Sequence, residues 1–135
     1  MKKLLYTTYS EPAFSIGLLL LRVACSVMMI AHGYDKVKNF AKYSAGFADP
    51  FNVGPTVSLS FDVFAEFVCA ILILLGLCTR FAVIPLIIAM GAALFTAHNG
   101  DIFGAGEKAA LYLVAYTAIL FTGPGRFSID RMIVK

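Results

Sequence analysis

Ser58–Arg80 reads SLSFDVFAEFVCAILILLGLCTR, an apolar run long enough to cross a bilayer that nevertheless carries Asp62 and Glu66. A carboxylate is costly in hydrocarbon, so it faces protein or a water-filled cavity and marks a candidate functional site. Asp62, Glu66, Cys69 and Ile73 follow spacings of four, three and four, which sets them on one stripe of a helix. That stripe needs partners from the rest of the chain, and the run around it points to an integral membrane protein.

Composition agrees. The 135 residues are 60% hydrophobic and 14% charged, with a mean hydropathy of +0.85, whereas soluble domains carry about 25% charged residues. One domain covering residues 1–135 is expected. Its apolar runs lack the period-two alternation of barrel strands, and helices satisfy their own backbone groups in lipid, so the fold class is all-α. Eleven basic against eight acidic residues leave only +3, with the basic ones dispersed, which argues against a nucleic-acid partner. Cys25, Cys69 and Cys78 form no CxxC, so neither a thioredoxin-type pair nor a cysteine-rich metal site is indicated. They read as small apolar fillers.

Outward from this run, the sequence predicts spans at about residues 58–77 and 81–98, joined by LCTR, a connection too short to do anything but reverse the chain. Gly91, Ala92 and Ala93 allow close helix approach in the second of these. Before them, residues 13–34 form a span with Pro12 in its first turn. A cleaved signal peptide is the competing reading, and the unbroken run to Tyr34 without a small-x-small site argues against it. Residues 35–57 connect these spans and contain Pro50, Gly54 and Pro55. Within them, DKVKNFAKYSAGF sets Lys36, Lys38 and Lys42 among Val37, Phe40, Tyr43 and Phe47, the pattern of a short interfacial helix or of a solvated loop. A fourth span at 107–122 is about 24 Å long, short against a core of about 30 Å. Gly123-Pro124-Gly125 ends it, and a basic amphipathic tail follows. The architecture expected is an antiparallel four-helix bundle. Lys2, Lys3, Arg80, Arg126, Arg131 and Lys135 at one end outnumber Lys36, Lys38, Lys42 and Lys108 at the other, so both termini are expected in the cytoplasm.

Arg22, Cys25, Met29, His32 and Lys36 recur at spacings of three and four on the first span. At about 1.5 Å per residue Arg22 and Glu66 come to similar depth, and a mid-membrane arginine snorkels poorly, so Arg22–Glu66 is predicted as an ion pair. Asp62 lies one turn farther out, near the level of His32 and His98, with Glu107 at the rim and Tyr112 on the fourth helix. Ligand-binding candidates are therefore His32, Asp62, Glu66, His98, Glu107 and Tyr112, a polar column opening outward. Three readings of it stand side by side. It is a pair that fixes helix register, a ligand or proton site in which a histidine switches near neutral pH, or a metal site built from His32, His98, Asp62 and Glu107. No dense ligand motif specifies an ion, and no metal is assigned.

The chain resembles DoxX-like small membrane proteins. LLRVACSVMMIAHGYDKVKNF is similar to their first helix, with Arg22, His32, Gly33 and Lys36 in matching places. Gly54-Pro55, the AEF around Glu66, LLGLCTRFAVIP, AHNG at Ala97–Gly100, GEK at Gly106–Lys108 and TGPGRFSID add to the match over Leu18–Arg131. The resemblance implies a four-helix bundle in the bacterial cytoplasmic membrane. Some relatives are associated with quinone-linked sulfur oxidation, others with membrane complexes that handle oxidants or thiols. It thus implies an accessory subunit of a redox or quinone-associated assembly, with quinone as its cofactor class and a membrane redox partner. The missing cysteine pair argues against a self-contained thiol-quinone enzyme. The alternative is a non-catalytic binder of lipid or a small ligand, or an assembly partner, and self-association is compatible with either.

Overall fold

Residues 2–134 are described by the computed structural model, and among them every regular element is a helix. After a short turn at Lys2–Leu5 comes α1, Glu11–Lys38, capped by Ser10, whose side chain accepts from the Ala13 N–H, with Pro12 in the first turn. Then follow α2 (Phe40–Ser44), α3 (Pro55–Leu75), α4 (Thr79–Ala97), α5 (Glu107–Thr122) and α6 (Ile129–Ile133). Nothing in Asp35–Lys38 breaks a helix, so α1 continues past Tyr34 and takes Lys36 and Lys38 with it. Only the five-residue α2 remains of the helix expected after the first span.

Three helices, α1, α3 and α4, are long and apolar enough to cross a membrane. The fourth, α5, has 16 residues, yet it runs the length of α4. A Cβ at Gly106, just before it, would fall 2.6 Å from Leu94 Cδ1, and one at Gly123, just after it, would fall 3.4 Å from the Arg80 guanidinium. The bundle is antiparallel, in ring order α1, α3, α4, α5. Lys36 meets Asp62 while Arg22 lies beside Gly76, and Tyr116 reaches the Cys25 carbonyl while His32 lies against Tyr112.

Burial follows the helical repeat. The inward face of α1 is Ser15, Leu18, Arg22, Ser26, Met29 and Gly33, spacings of three and four. It packs on Ala65, Cys69 and Ile73 of α3, with Val83, Leu86, Tyr116 and Ile119 completing the centre. Leu20, Val27, Phe81, Ile84, Leu111, Val114 and Phe121 point outward and exposed, the surface that lipid solvates in a bundle whose backbone is satisfied internally.

Gly33 sets the closest approach. A Cβ there would lie 2.8 Å from both Glu66 C and Phe67 N, backbone atoms that cannot step aside. Gly33→Ala is therefore expected to push α1 from α3 and destabilise the bundle by about 1–3 kcal/mol, read as a lower melting temperature in detergent. Gly17→Ala, where nothing lies within 4 Å of the new methyl, is the control expected to be neutral or mildly stabilising, and equal losses in both would refute the contact.

Candidate functional site

The close approach at Gly33 delivers Lys36, one turn later, between two carboxylates of α3. Its ammonium hydrogen-bonds Asp62 Oδ2 and stands 2.8 Å from Glu66 Oε2. The second contact is an ion pair at hydrogen-bonding distance, so one ammonium serves both carboxylates. The Asp62 and Glu66 side chains are 12% and 5% exposed, so bulk water reaches both charges only at the cavity wall. Lys36 also lies 5.7 Å from the centre of the Phe47 ring.

Two wide turns bound this cluster. At Phe64–Cys69, α3 winds as a π-helix, and Glu66 sits in that segment; α4 does the same at Ala93–Ala97, just before His98. Such turns insert an extra residue per turn and recur at functional sites. Both open on a cavity of about 570 Å3, walled mainly by apolar side chains, with Lys36, Asp62 and Glu66 among its lining and His98 on the α4 side. Phe47, Pro50, Phe51 and Val53 of the α2–α3 connection form the remaining wall. That connection is held by Asp49, whose carboxylate accepts from Val53 N, Gly54 N and Ser58 Oγ at 3.0, 2.7 and 2.8 Å. Desolvation pushes the Asp49 carboxyl up, but these bonds outweigh it and leave the group below the usual aspartate range.

Of the six binding candidates, Asp62, Glu66 and His98 thus face one cavity. His32 does not line it. It is exposed on the α1–α5 side, edge-on to Tyr112 at 6.4 Å between ring centres. Tyr112 is buried and stacked on Tyr116, its hydroxyl unpartnered, and Glu107 is exposed in the first turn of α5. Among the described residues no three of His, Cys, Asp and Glu converge to hold a metal ion, and all three cysteines are free.

The expected Arg22–Glu66 pair does not form. Arg22 donates instead from Nη1 to the Pro124 carbonyl at 2.5 Å and from Nη2 to the Phe127 carbonyl at 2.6 Å. The reason is register: α1 spans about 42 Å at 1.5 Å per residue and starts beyond the end of α3, so Arg22 is level with Gly76. Gly76 takes a left-handed φ of 71°, and a Cβ there would meet Ser128 Cβ at 2.5 Å and Arg22 Cζ at 3.2 Å. The tail closes this end. Asp130 accepts from Cys78 N at 2.6 Å and Thr79 N at 2.9 Å, while its own N–H donates to Gly76 O at 2.8 Å. Burial alone would raise the Asp130 carboxyl, but the Thr79 and Cys78 bonds, with the Arg22 charge nearby, hold it below the usual range.

Sequence reading set Lys36 on the Arg22–His32 stripe as well as in the connection, but did not count it among the site residues. The usable signal was its position three residues after Gly33 on the Arg22–Ser26–Met29–Gly33 stripe. The aromatic wall from Phe47 and Phe51 had no local signal.

Two outcomes are expected. Lys36→Met leaves two uncompensated buried carboxylates and should cost about 3–5 kcal/mol, measured by unfolding in detergent, with most of it recovered when Asp62→Asn and Glu66→Gln are added. A triple variant no more stable than the single would show that the charges are not coupled. Arg22→Met should speed tryptic cleavage at Arg126 and Arg131 several-fold, because the tail loses both guanidinium bonds, and an unchanged cleavage rate would count against this anchor.

The family model described as DoxX matches residues 17–99. An uncharacterized protein of Haemophilus influenzae is 33% identical over 122 residues, covering 85% of this chain and 89% of its own. The inner membrane protein YphA of Escherichia coli is 30% identical over 126 residues, covering 84% and 88%. An uncharacterized membrane protein of Mycobacterium tuberculosis is 36% identical over 88 residues, covering 55% of this chain and 54% of its own. No solved structure matches.

Proposed function

The chain belongs to the DoxX family of integral membrane proteins, and from that premise we propose that it works in a bacterial inner membrane as a holder of a small amphipathic molecule. The observation that carries this is the cavity, about 570 Å3 of largely apolar space with charged groups gathered on one side. Ligand pockets commonly occupy about 300–1,000 Å3, with a few polar groups fixing orientation. The body of the ligand would lie among Phe47, Phe51, Phe61 and Ile88, its head toward Lys36, Asp62 and Glu66.

In this reading α5 is a fourth crossing, both termini are cytoplasmic and the cavity opens outward. Lys2, Lys3, Arg80, Arg126 and Arg131 mark the cytoplasmic end; Lys135 lies outside the described residues. At the other end stand Lys36, Lys38, Lys42 and Lys108, fewer basic residues than at the first, and the excess of Lys and Arg supports this orientation. Inner-membrane placement follows the name of the Escherichia coli relative.

A second reading, a subunit of a redox or quinone-associated assembly, is favoured by one feature: aromatic walls beside an ammonium and an imidazole would suit a ring with polar oxygens. The contents of the cavity decide between them. Protein purified in mild detergent and extracted with organic solvent is expected to yield a molecule, identified by absorbance and mass spectrometry, that is lost in the cavity-filling variant Ala93→Phe. A quinone assigns the redox role and a lipid or other amphiphile the holder role. Extracts that are the same for wild type and Ala93→Phe would refute occupancy of the cavity.

A further inference from the structure

We propose that the head group taken by this cavity is a protonated amine carried on an apolar body, an assignment that rests on the cavity being a ligand site. The argument begins with formal charge. Two carboxylates share one ammonium, so the Lys36–Asp62–Glu66 cluster has one negative charge in excess, on carboxylate side chains 12% exposed at Asp62 and 5% at Glu66. A buried carboxylate without a partner is strongly unfavourable, so the excess is completed by a proton or by a cation.

The unfilled hydrogen-bonding capacity has the same sign. A carboxylate offers about four acceptor sites and no donor. Among the described residues, Asp62 and Glu66 share the single Lys36 ammonium as their close donor, so most of their acceptor sites are unfilled. Other polar groups in the lining do not fill the deficit: among the described residues His98 makes no ion pair with either carboxylate. Ser58 Oγ donates to Asp49, and Thr96 Oγ1 donates to the Ala92 carbonyl. A proton on one carboxylate would meet the charge but leave the cavity empty, whereas an alkylammonium supplies donors, the positive charge and a body for the apolar space.

The rest of the cavity selects the body. Phe47 already accepts the Lys36 ammonium on its ring at 5.7 Å, and Phe51 and Phe61 extend the aromatic wall. Aromatic faces attract ammonium groups, more so where water is excluded. A bare inorganic cation would satisfy the charge but leave the apolar volume unused. An anionic head would meet like charge, and a head of carbonyl or ether oxygens would set acceptor against acceptor.

Three probes of similar size separate these terms: phenylbutylamine, phenylbutanol and phenylbutyrate. The full chain in nanodiscs of zwitterionic lipid is dialysed to equilibrium against each, with protein-free discs subtracted. The amine is expected to bind about tenfold tighter than the alcohol, as close charge pairs at interfaces do, and the carboxylate more weakly than either. Glu66→Gln and Asp62→Asn each remove the excess charge and should each bring the amine down to the level of the alcohol. Having two such variants keeps the test usable if one fails to fold. Saturable binding of the alcohol with no preference for the amine, or a preference that survives both substitutions, would overturn the charge assignment and leave the cavity as a ligand site. Absence of saturable binding by all three probes would overturn both.

Discussion

Lys36 stands between Asp62 and Glu66 inside a bundle that lipid surrounds, and the geometry of that half of the bundle follows from the contact. Each ion taken from water loses several kcal/mol of hydration, and one ammonium cannot fully compensate two carboxylates. The cluster is therefore not explained as a source of stability. What it does is set α1 against α3 at a single register, because a slip of either helix by one turn would strand a charge in low dielectric. Gly33 makes the contact reachable by letting the α1 backbone touch the backbone at Glu66 and Phe67.

Given that register, the π-wound segments of α3 and α4 acquire a structural meaning. A regular helix through Phe64–Cys69 would turn its side chains by a different angle past this point, and the wide turn changes how Glu66 is presented relative to Asp62. In α4 the wide turn at Ala93–Ala97 places small side chains on the cavity wall. Small residues otherwise bring helices together in membranes; at Ala92 and Ala93 they instead leave space. The covering connection is pinned by Asp49 at the start of α3, so the cavity has one wall that is not helical.

How much of this was legible in the sequence divides along the range of the interactions. The all-helical bundle, the reversal between α3 and α4 and the Asp62–Glu66 stripe follow from apolar periodicity, which is local. The partner of Arg22 was not legible, because depth counted from a helix start assumes that helices begin at a common plane, and α1 overhangs α3. Lys36 was obscured by its neighbours: Asp35, Lys38 and Asn39 look like a connection, although nothing among them breaks the helix before Lys38. The aromatic wall depends on chain closure by Asp49 with Ser58, nine residues apart, and no periodicity reports it. His32 was grouped with Asp62 by level alone, but it faces α5, a difference of angle around α1 and not of depth.

The two ends of the bundle use their cations in opposite ways, and this bears on what the protein can do. Arg22 spends both terminal nitrogens on the backbone of Pro124 and Phe127, so the tail folds beneath the bundle and closes it. Lys36 meets side-chain carboxylates that retain unused acceptors next to open space. About 21 Å of α1 separates the two at 1.5 Å per residue. Between them lies a layer of Met29, Ile73, Leu86 and Tyr116, each 0–1% exposed. Water or an ion entering from the cavity meets close-packed side chains before it reaches Arg22. The cavity is therefore closed on the Arg22 side by packed side chains, with the polar cluster on its wall.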